Sequence, residues 1–107
     1  MTRMFMQIQI KATKIELTDA IRDYVQKKMD MLEKYLGGIP VINCHFEVGL
    51  AVGGQQSGEI YRAEINLDLN GKLLRVEKTE KDLYKAIDKV KDHMEREIIK
   101  FKEKLRE

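Results

Sequence analysis

The chain has 107 residues, of which 43% are hydrophobic and 36% charged, and its 20 basic and 18 acidic side chains give a net charge of +2. This size and apolar content predict one domain with a core, and the balanced charge excludes a long basic tail or an acidic disordered chain. The single cysteine, Cys44, excludes a disulfide framework and favours a reducing compartment, and together with two histidines it excludes a closed four-ligand zinc site of the usual kind.

The N-terminal third of the chain predicts a strand and a helix. Polar side chains interrupt the apolar run of the first residues, MTRMFMQIQIK, so we expect no signal peptide there. Residues 5–11 instead alternate between apolar and polar side chains, which is typical of a half-buried strand. Thr18 is the expected N-cap of a helix that ends at Gly37 and Gly38, because glycine adopts the left-handed C-cap conformation easily. The apolar stripe of this helix is Ile21, Val25, Leu32 and Leu36.

The middle of the chain predicts three strands. Alternation of apolar and polar side chains places two of them at residues 42–50 and 61–69, with the polar, glycine-rich loop 53–58 between them. Asn70 and Gly71 form a two-residue hairpin signal, and Leu74 and Val76 continue the apolar face on the next strand.

The C-terminal part predicts a long helix. Thr79 is its expected N-cap, with Asp82 three residues later in an approximate capping-box position. Its apolar stripe is Leu83, Ile87, Val90, Met94, Ile98, Phe101 and Leu105. The order β-α-β-β-β-α predicts an α+β two-layer sandwich, a single domain over residues 1–107 with a four-stranded sheet and both helices on one face.

Charge is distributed unevenly along the chain. Residues 1–77 carry ten basic and ten acidic side chains, whereas residues 78–107 carry ten basic and eight acidic ones. At 100° per residue, one narrow arc of the second helix, opposite its apolar stripe, collects Lys85, Lys89, Arg96 and Lys100. Lys78 and Lys81 precede this arc, and His93 flanks it.

Two interpretations of these cations stay open. They form either a solvated helix face with local ion pairs, such as Lys85 with Asp88, or a ridge that contacts nucleic-acid phosphates. Lys28 of the first helix likewise either extends its charge to solvent or holds it at a groove beside the second helix. If the face is only solvated, the chain is a non-enzymatic module that interacts with another protein.

The other residue types favour no enzyme and no cofactor. The sequence has no nucleophile elbow, phosphate-binding loop or paired histidines at metal spacing. Cys44 is expected to be a core residue and His45 an exposed one on the open sheet face. Since that face carries no aromatic rings and several acids, nucleic acid is expected to meet the helices and to be recognised by backbone and shape.

Three stretches of the sequence carry a resemblance to a known family. They are AIRDYVQKKMDMLEKY after the strand MQIQIKATKIELT, then DLYKAID, then EREIIKFKEKL. Together they resemble the hibernation-promoting factor family, also called ribosome-associated inhibitor or ribosomal subunit interface protein. The similarity runs from about Met6 to Leu105, and it is to a short member or to the N-terminal domain of a long one.

The resemblance implies a fold like that of double-stranded RNA-binding domains and a cytoplasmic, ribosome-bound function. Such factors bind the small ribosomal subunit and its ribosomal RNA in the channel used by messenger RNA and the A- and P-site transfer RNAs. They inhibit translation and store idle ribosomes in stationary phase or under stress. The resemblance implies no enzyme activity, small-molecule substrate or membrane partner.

The resemblance and the helical arc together predict the RNA-binding residues. Matching positions supply Arg22, Lys28, Tyr84, Arg96, Lys100 and Lys102, and the charge pattern adds Lys78, Lys81, Lys85 and Lys89. His93 stands where the family usually has lysine, and Glu97 where it usually has glutamine. Tyr84 borders the apolar stripe, so packing and RNA contact both stay open for it.

Overall fold

The computed structural model describes residues 7–51 and 58–106, and it confirms the α+β class. The elements in chain order are β1 (Gln9–Thr13), α1 (Asp19–Asp30), α2 (Glu33–Leu36), β2 (Asn43–Leu50), β3 (Tyr61–Leu69), β4 (Lys72–Glu80) and α3 (Leu83–Leu105). The predicted strand residues 5–6 and loop residues 53–57 lie outside the described residues.

The four strands form one sheet in the order β1-β2-β3-β4. β1 and β2 are parallel, since α1 and α2 connect them, and the other two pairs are antiparallel. Gly49 allows β1 to approach β2, because a Cβ atom there would lie 2.3 Å from the Thr13 carbonyl oxygen. The predicted hairpin is confirmed: Leu69 pairs with Lys72 around Asn70 and Gly71, and Gly71 has a φ of 97°.

The core lies between the sheet and the helices. Alternate strand residues face it, as predicted, among them Cys44, Phe46, Ile65, Leu67, Leu74 and Val76. Burial raises the pKa of the Cys44 thiol to about 12, so it stays protonated and inert at neutral pH. Ile42 and Leu105 are exceptions to the predicted apolar stripes, with exposures of 55% and 61%, because each lies at or beyond the end of its element.

The predicted first helix is in fact two helices. The Met31 N–H donates to the Lys28 carbonyl (3.2 Å) and the Leu32 N–H to the Met29 carbonyl (2.9 Å). Bonds of this i to i−3 type tighten the chain into a turn and interrupt the regular α-helical ladder between α1 and α2. Gly37 still ends the second segment as predicted, with a φ of 64° that glycine adopts without strain.

The predicted N-cap of α3 was wrong. Thr79 belongs to β4 and lies opposite Arg62, because the ladder with β3 continues to the end of the strand. Asp82 caps the helix instead: its carboxylate accepts from the Tyr84 N–H at 2.8 Å and the Lys85 N–H at 3.3 Å. Thr18 is confirmed as the α1 N-cap through its bond from the Ile21 N–H.

This assignment makes a stability prediction. Asp82→Ala is expected to lower the free energy of unfolding by about 1 kcal/mol, because two helix N–H groups lose their acceptor. Thr79→Val removes the hydroxyl of the wrongly predicted cap but keeps the β-branched shape, so it is expected to change stability little. Urea denaturation of both variants, followed by circular dichroism, measures the difference. A larger loss in the Thr79 variant would contradict the assignment.

Candidate nucleic-acid interface

The outward face of α3 carries a cationic stripe, which we define as Lys85, Lys89, Arg96 and Lys100. All four side chains are exposed, and the helix buries its opposite side through Ile87, Val90, Met94 and Ile98. At 1.5 Å per residue, the stripe extends over about 22 Å. The sequence prediction of one outward line of cations is therefore confirmed in its placement.

Half of the cationic stripe is compensated by acids of the same chain. Lys89 Nζ lies 2.6 Å from Glu80 Oε2, and Lys100 Nζ lies 3.2 Å from Glu97 Oε2. Within the described residues, Lys85 and Arg96 have no ion pair. The charges of these two side chains are therefore not compensated by a carboxylate of the described residues.

The groove between α1 and α3 holds a cluster centred on Asp88. The Tyr24 hydroxyl donates to Asp88 Oδ1 at 2.6 Å, and Lys28 Nζ lies 3.2 Å from the same oxygen. The hydrogen bond to Asp88, followed by burial, raises the pKa of Tyr24 to about 12. Asp88 thus pairs with Lys28 instead of the predicted Lys85. Of the two interpretations of Lys28, the structure confirms the one that holds its charge at the groove beside the second helix.

Tyr84 is packed against α1 and is also partly exposed. Its ring packs edge-on against the Tyr24 ring, with centroids 4.8 Å apart and planes at 89°. It nevertheless stays 39% exposed at the mouth of the groove. Packing is thereby confirmed, and RNA contact stays a prediction for the exposed edge.

The remaining predicted residues are spread around the helical layer. Lys81 is exposed in the short connection from β4 to α3, close to Lys85, and Lys78 is half-buried at the end of β4. Lys102 lies at the far end of α3, where its Nζ is 3.7 Å from the site of a Cβ at Gly37. Arg22 is exposed on α1 but about 120° around that helix from Lys28, so the two face different directions.

His93 does not add to the positive charge of the stripe. Burial, followed by the charge of Lys78, lowers its pKa below the ordinary value, although Glu97 at 3.8 Å opposes this. The imidazole is therefore neutral at neutral pH. Its Nδ1 atom is buried and has no hydrogen-bond partner among residues 7–51 and 58–106, which the sequence pattern does not indicate.

On the open face of the sheet, the arginines form ion pairs with glutamates of neighbouring strands. Glu47, Glu64 and Glu77 lie in cross-strand register on β2, β3 and β4. Arg62 contacts all three, with Nη2 2.6 Å from Glu64 Oε1 and Nη1 3.5 Å from Glu47 Oε1, and Arg75 contacts Glu64 as well. Although Glu64 alternates with apolar residues along β3, it is only 4% exposed. The network therefore pairs both arginines of this face with carboxylates of the same sheet.

The described residues offer no grouped metal ligands and no membrane-crossing helix. Over residues 7–51 and 58–106, no three His, Cys, Asp or Glu side chains are grouped so that they could hold a metal ion. None of the helices there combines the length and apolar content that crossing a membrane requires.

The groove cluster makes a second stability prediction. Tyr24→Phe is expected to lower the free energy of unfolding by about 1 kcal/mol, because it removes the hydrogen bond that joins α1 to α3 and keeps the ring packing. Tyr61→Phe is the matched control, since the Tyr61 hydroxyl donates to the nearby, exposed Glu59 at 2.7 Å. Thermal and urea unfolding of the two variants compare the bonds. Equal effects would contradict a structural role for the Asp88 cluster.

The chain is similar to proteins of a known family. The family model described as sigma 54 modulation protein / S30EA ribosomal protein matches residues 8–106. The ribosome hibernation promotion factor of Staphylococcus aureus (strain COL) is 29% identical over 99 residues, which cover 92% of this chain and 50% of that protein. The chain thus spans about half the length of this curated relative.

Solved structures show the same fold. The Protein Y N-terminal domain of Thermus thermophilus has 39% sequence identity and a TM-score of 0.72, and the match covers 90% of this chain and 99% of that one. A ribosomal subunit interface protein from Coxiella burnetii has 20% identity and a TM-score of 0.70, over 91% of this chain and 98% of the other. At that identity, the second likeness shows the fold alone.

Proposed function

The chain belongs to the sigma 54 modulation protein / S30EA ribosomal protein family, and we propose that it is a ribosome hibernation factor that binds the small ribosomal subunit through its helical face. The observation that carries this proposal is the asymmetry of charge. The cationic stripe and the groove lysine lie on the helical layer, whereas the open sheet face pairs its arginines with its own glutamates.

The helical face suits folded ribosomal RNA. Phosphates are met by cations spaced along a rigid helix, and such contacts fix position without reading sequence. Double-stranded RNA is recognised chiefly by shape, phosphates and 2′-hydroxyls, which needs no aromatic platform. Lys85 and Arg96 supply the two uncompensated charges, and Lys28 and Tyr84 border the adjoining groove.

The mechanism that follows is steric occlusion without chemistry. A rigid domain seated in the channel of messenger RNA and the A- and P-site transfer RNAs excludes those ligands and stores the ribosome idle in the cytoplasm. This role requires no nucleophile, cofactor or substrate. The name of the Staphylococcus aureus relative, ribosome hibernation promotion factor, supports the hibernation part of this proposal.

Cosedimentation with isolated ribosomal subunits tests the proposal. The chain is expected to pellet with small subunits and not with large ones, to be released as salt rises, and to compete with messenger RNA and transfer RNA for the subunit. Binding that salt does not affect would instead favour the alternative, a protein-interaction module with a solvated helix face. Binding to large subunits alone would contradict the proposal outright.

A further inference from the structure

The outer edge of β4 has no partner strand within the described residues. The sheet order places β4 beside β3 alone, and β4 runs for 9 residues from Lys72 to Glu80. An edge strand of this length presents a row of backbone N–H and C=O groups that can pair with another strand. The residues of the strand decide which partner fits.

The outward-facing backbone groups of β4 belong to its odd-numbered residues. On the β2 side of β3, the Asp68 carbonyl accepts from the Ile42 N–H at 2.8 Å. The Ile60 carbonyl, just before β3, accepts from the Ala51 N–H at 2.8 Å. Even-numbered residues of β3 therefore bond towards β2 and odd-numbered ones towards β4, where the register gives them even-numbered partners. The residues of β4 left to bond outwards are Leu73, Arg75, Glu77 and Thr79.

An antiparallel pair of two β4 strands centred on Val76 matches both these groups and the charges. In this register, each odd-numbered residue of one β4 strand lies opposite an odd-numbered residue of the other. The outward N–H and C=O groups of the two strands can therefore form hydrogen bonds with each other. Arg75 lies opposite Glu77 of the second copy, and Lys72 lies opposite Glu80 of the second copy. Two-fold symmetry repeats each of these opposite-charge pairs.

Neighbouring registers do not have this complementarity. A shift that centres the pair on Arg75 places that arginine opposite itself and Lys72 opposite Lys78. A shift that centres it on Glu77 places that carboxylate opposite itself. The two intermediate registers, shifted by a single residue, place odd-numbered residues opposite even-numbered ones. The outward backbone groups of the two strands then have no matching partners.

We propose that two copies of this chain associate edge to edge through β4, in the Val76-centred register, to form one continuous sheet of two four-stranded halves. Arg75 and Glu77 have side chains that are 65% and 49% exposed, so each can add a contact while keeping its bond within its own sheet. The association is weak and reversible, because Glu80 already pairs with Lys89 of its own chain and Lys78 of both copies adds positive charge at the same edge.

Sedimentation equilibrium from micromolar to near-millimolar concentration tests the association. Lys72→Glu or Glu80→Lys alone places like charges opposite each other twice in the dimer, and each is expected to weaken it about tenfold. The two substitutions together restore opposite charges and are expected to restore the affinity. Lys11→Glu, at an exposed site on the other edge strand, matches the charge change of Lys72→Glu and is expected to have no effect. Circular dichroism checks that each variant is folded.

A distance measurement tests the register. With a spin label on Thr79→Cys, the two labels of the proposed dimer are six residues apart along the paired strands, so the expected distance between them is about 20 Å. The register centred on Arg75 gives about 27 Å, and the register centred on Glu77 gives about 14 Å. Cys44 is buried and stays unlabelled. The proposal is overturned by a monomer at every concentration, by single variants that associate as strongly as the native chain, or by a distance of another register.

Discussion

Replacing all four residues of the cationic stripe by Glu is expected to abolish cosedimentation with small ribosomal subunits at physiological salt. The exchange removes four positive charges and adds four negative ones to the face that we propose meets phosphate. Replacing the same four residues by Gln is a milder form, expected to weaken binding about a hundredfold and to reduce the logarithmic salt slope by about 3. Salt titrations of the binding constant measure both quantities.

The internal ion pairs divide the stripe into two unequal halves. Lys85→Gln with Arg96→Gln removes the uncompensated cations and is expected to weaken binding more than Lys89→Gln with Lys100→Gln. The second pair already loses part of its attraction for phosphate to Glu80 and Glu97. Equal effects of the two double variants would contradict this ranking.

A matched control separates local contacts from total charge. Lys11→Gln with Lys72→Gln removes two exposed cations that lie on strands outside the helical layer. The net charge falls as in the other double variants, but small-subunit binding is expected to change little. A loss as large as that of the Lys85 and Arg96 variant would mean that the overall field, and not the stripe, attracts the ribosome.

The periodic features of the fold could be predicted from the sequence, because each depends on one local repeat. Alternation gave the strands and the buried positions Cys44, Ile65 and Val76, and helical spacing gave the outward stripe. The α3 cap could not be located in this way. Thr79 and Asp82 are both competent caps, and the choice depends on how far the β3–β4 ladder extends, which is a tertiary contact.

The electrostatic partners were the least predictable part of the candidate site. Asp88 had a local partner in Lys85, yet the packing of α1 against α3 brings Lys28 and Tyr24 to it instead. Glu64 alternates with apolar residues, a pattern typical of a solvated position, yet arginines of two strands cover it. Long side chains reach partners 11 to 64 residues away in the sequence, which no periodicity encodes.

Arg62→Met is expected to lower the free energy of unfolding by about 2–3 kcal/mol at neutral pH. Arg62 forms ion pairs with Glu47, Glu64 and Glu77. Without it, these three adjacent carboxylates keep one cation of the network, Arg75, which contacts Glu64. Breaking a largely buried ion pair costs much of the desolvation of the partner that stays charged. Urea denaturation at neutral pH measures the loss.

The pH dependence of this loss identifies its cause. Burial alone would raise the pKa of Glu64, but hydrogen bonds from Arg62 and Arg75 outweigh it and lower the pKa below the ordinary value. The native network therefore contributes stability above the ordinary carboxylate pKa and loses it as the pH falls through the lowered one. The difference between Arg62→Met and the native chain is expected to shrink over that range, because protonated glutamates no longer need the arginine.

A second substitution separates charge from packing in the same network. Glu64→Gln added to Arg62→Met removes the buried charge while keeping the side-chain shape, so it is expected to recover part of the lost stability. A contribution from packing of the arginine side chain would instead be lost at every pH. A loss that neither acidification nor Glu64→Gln reduces would assign the role of Arg62 to packing and contradict the ion-pair explanation.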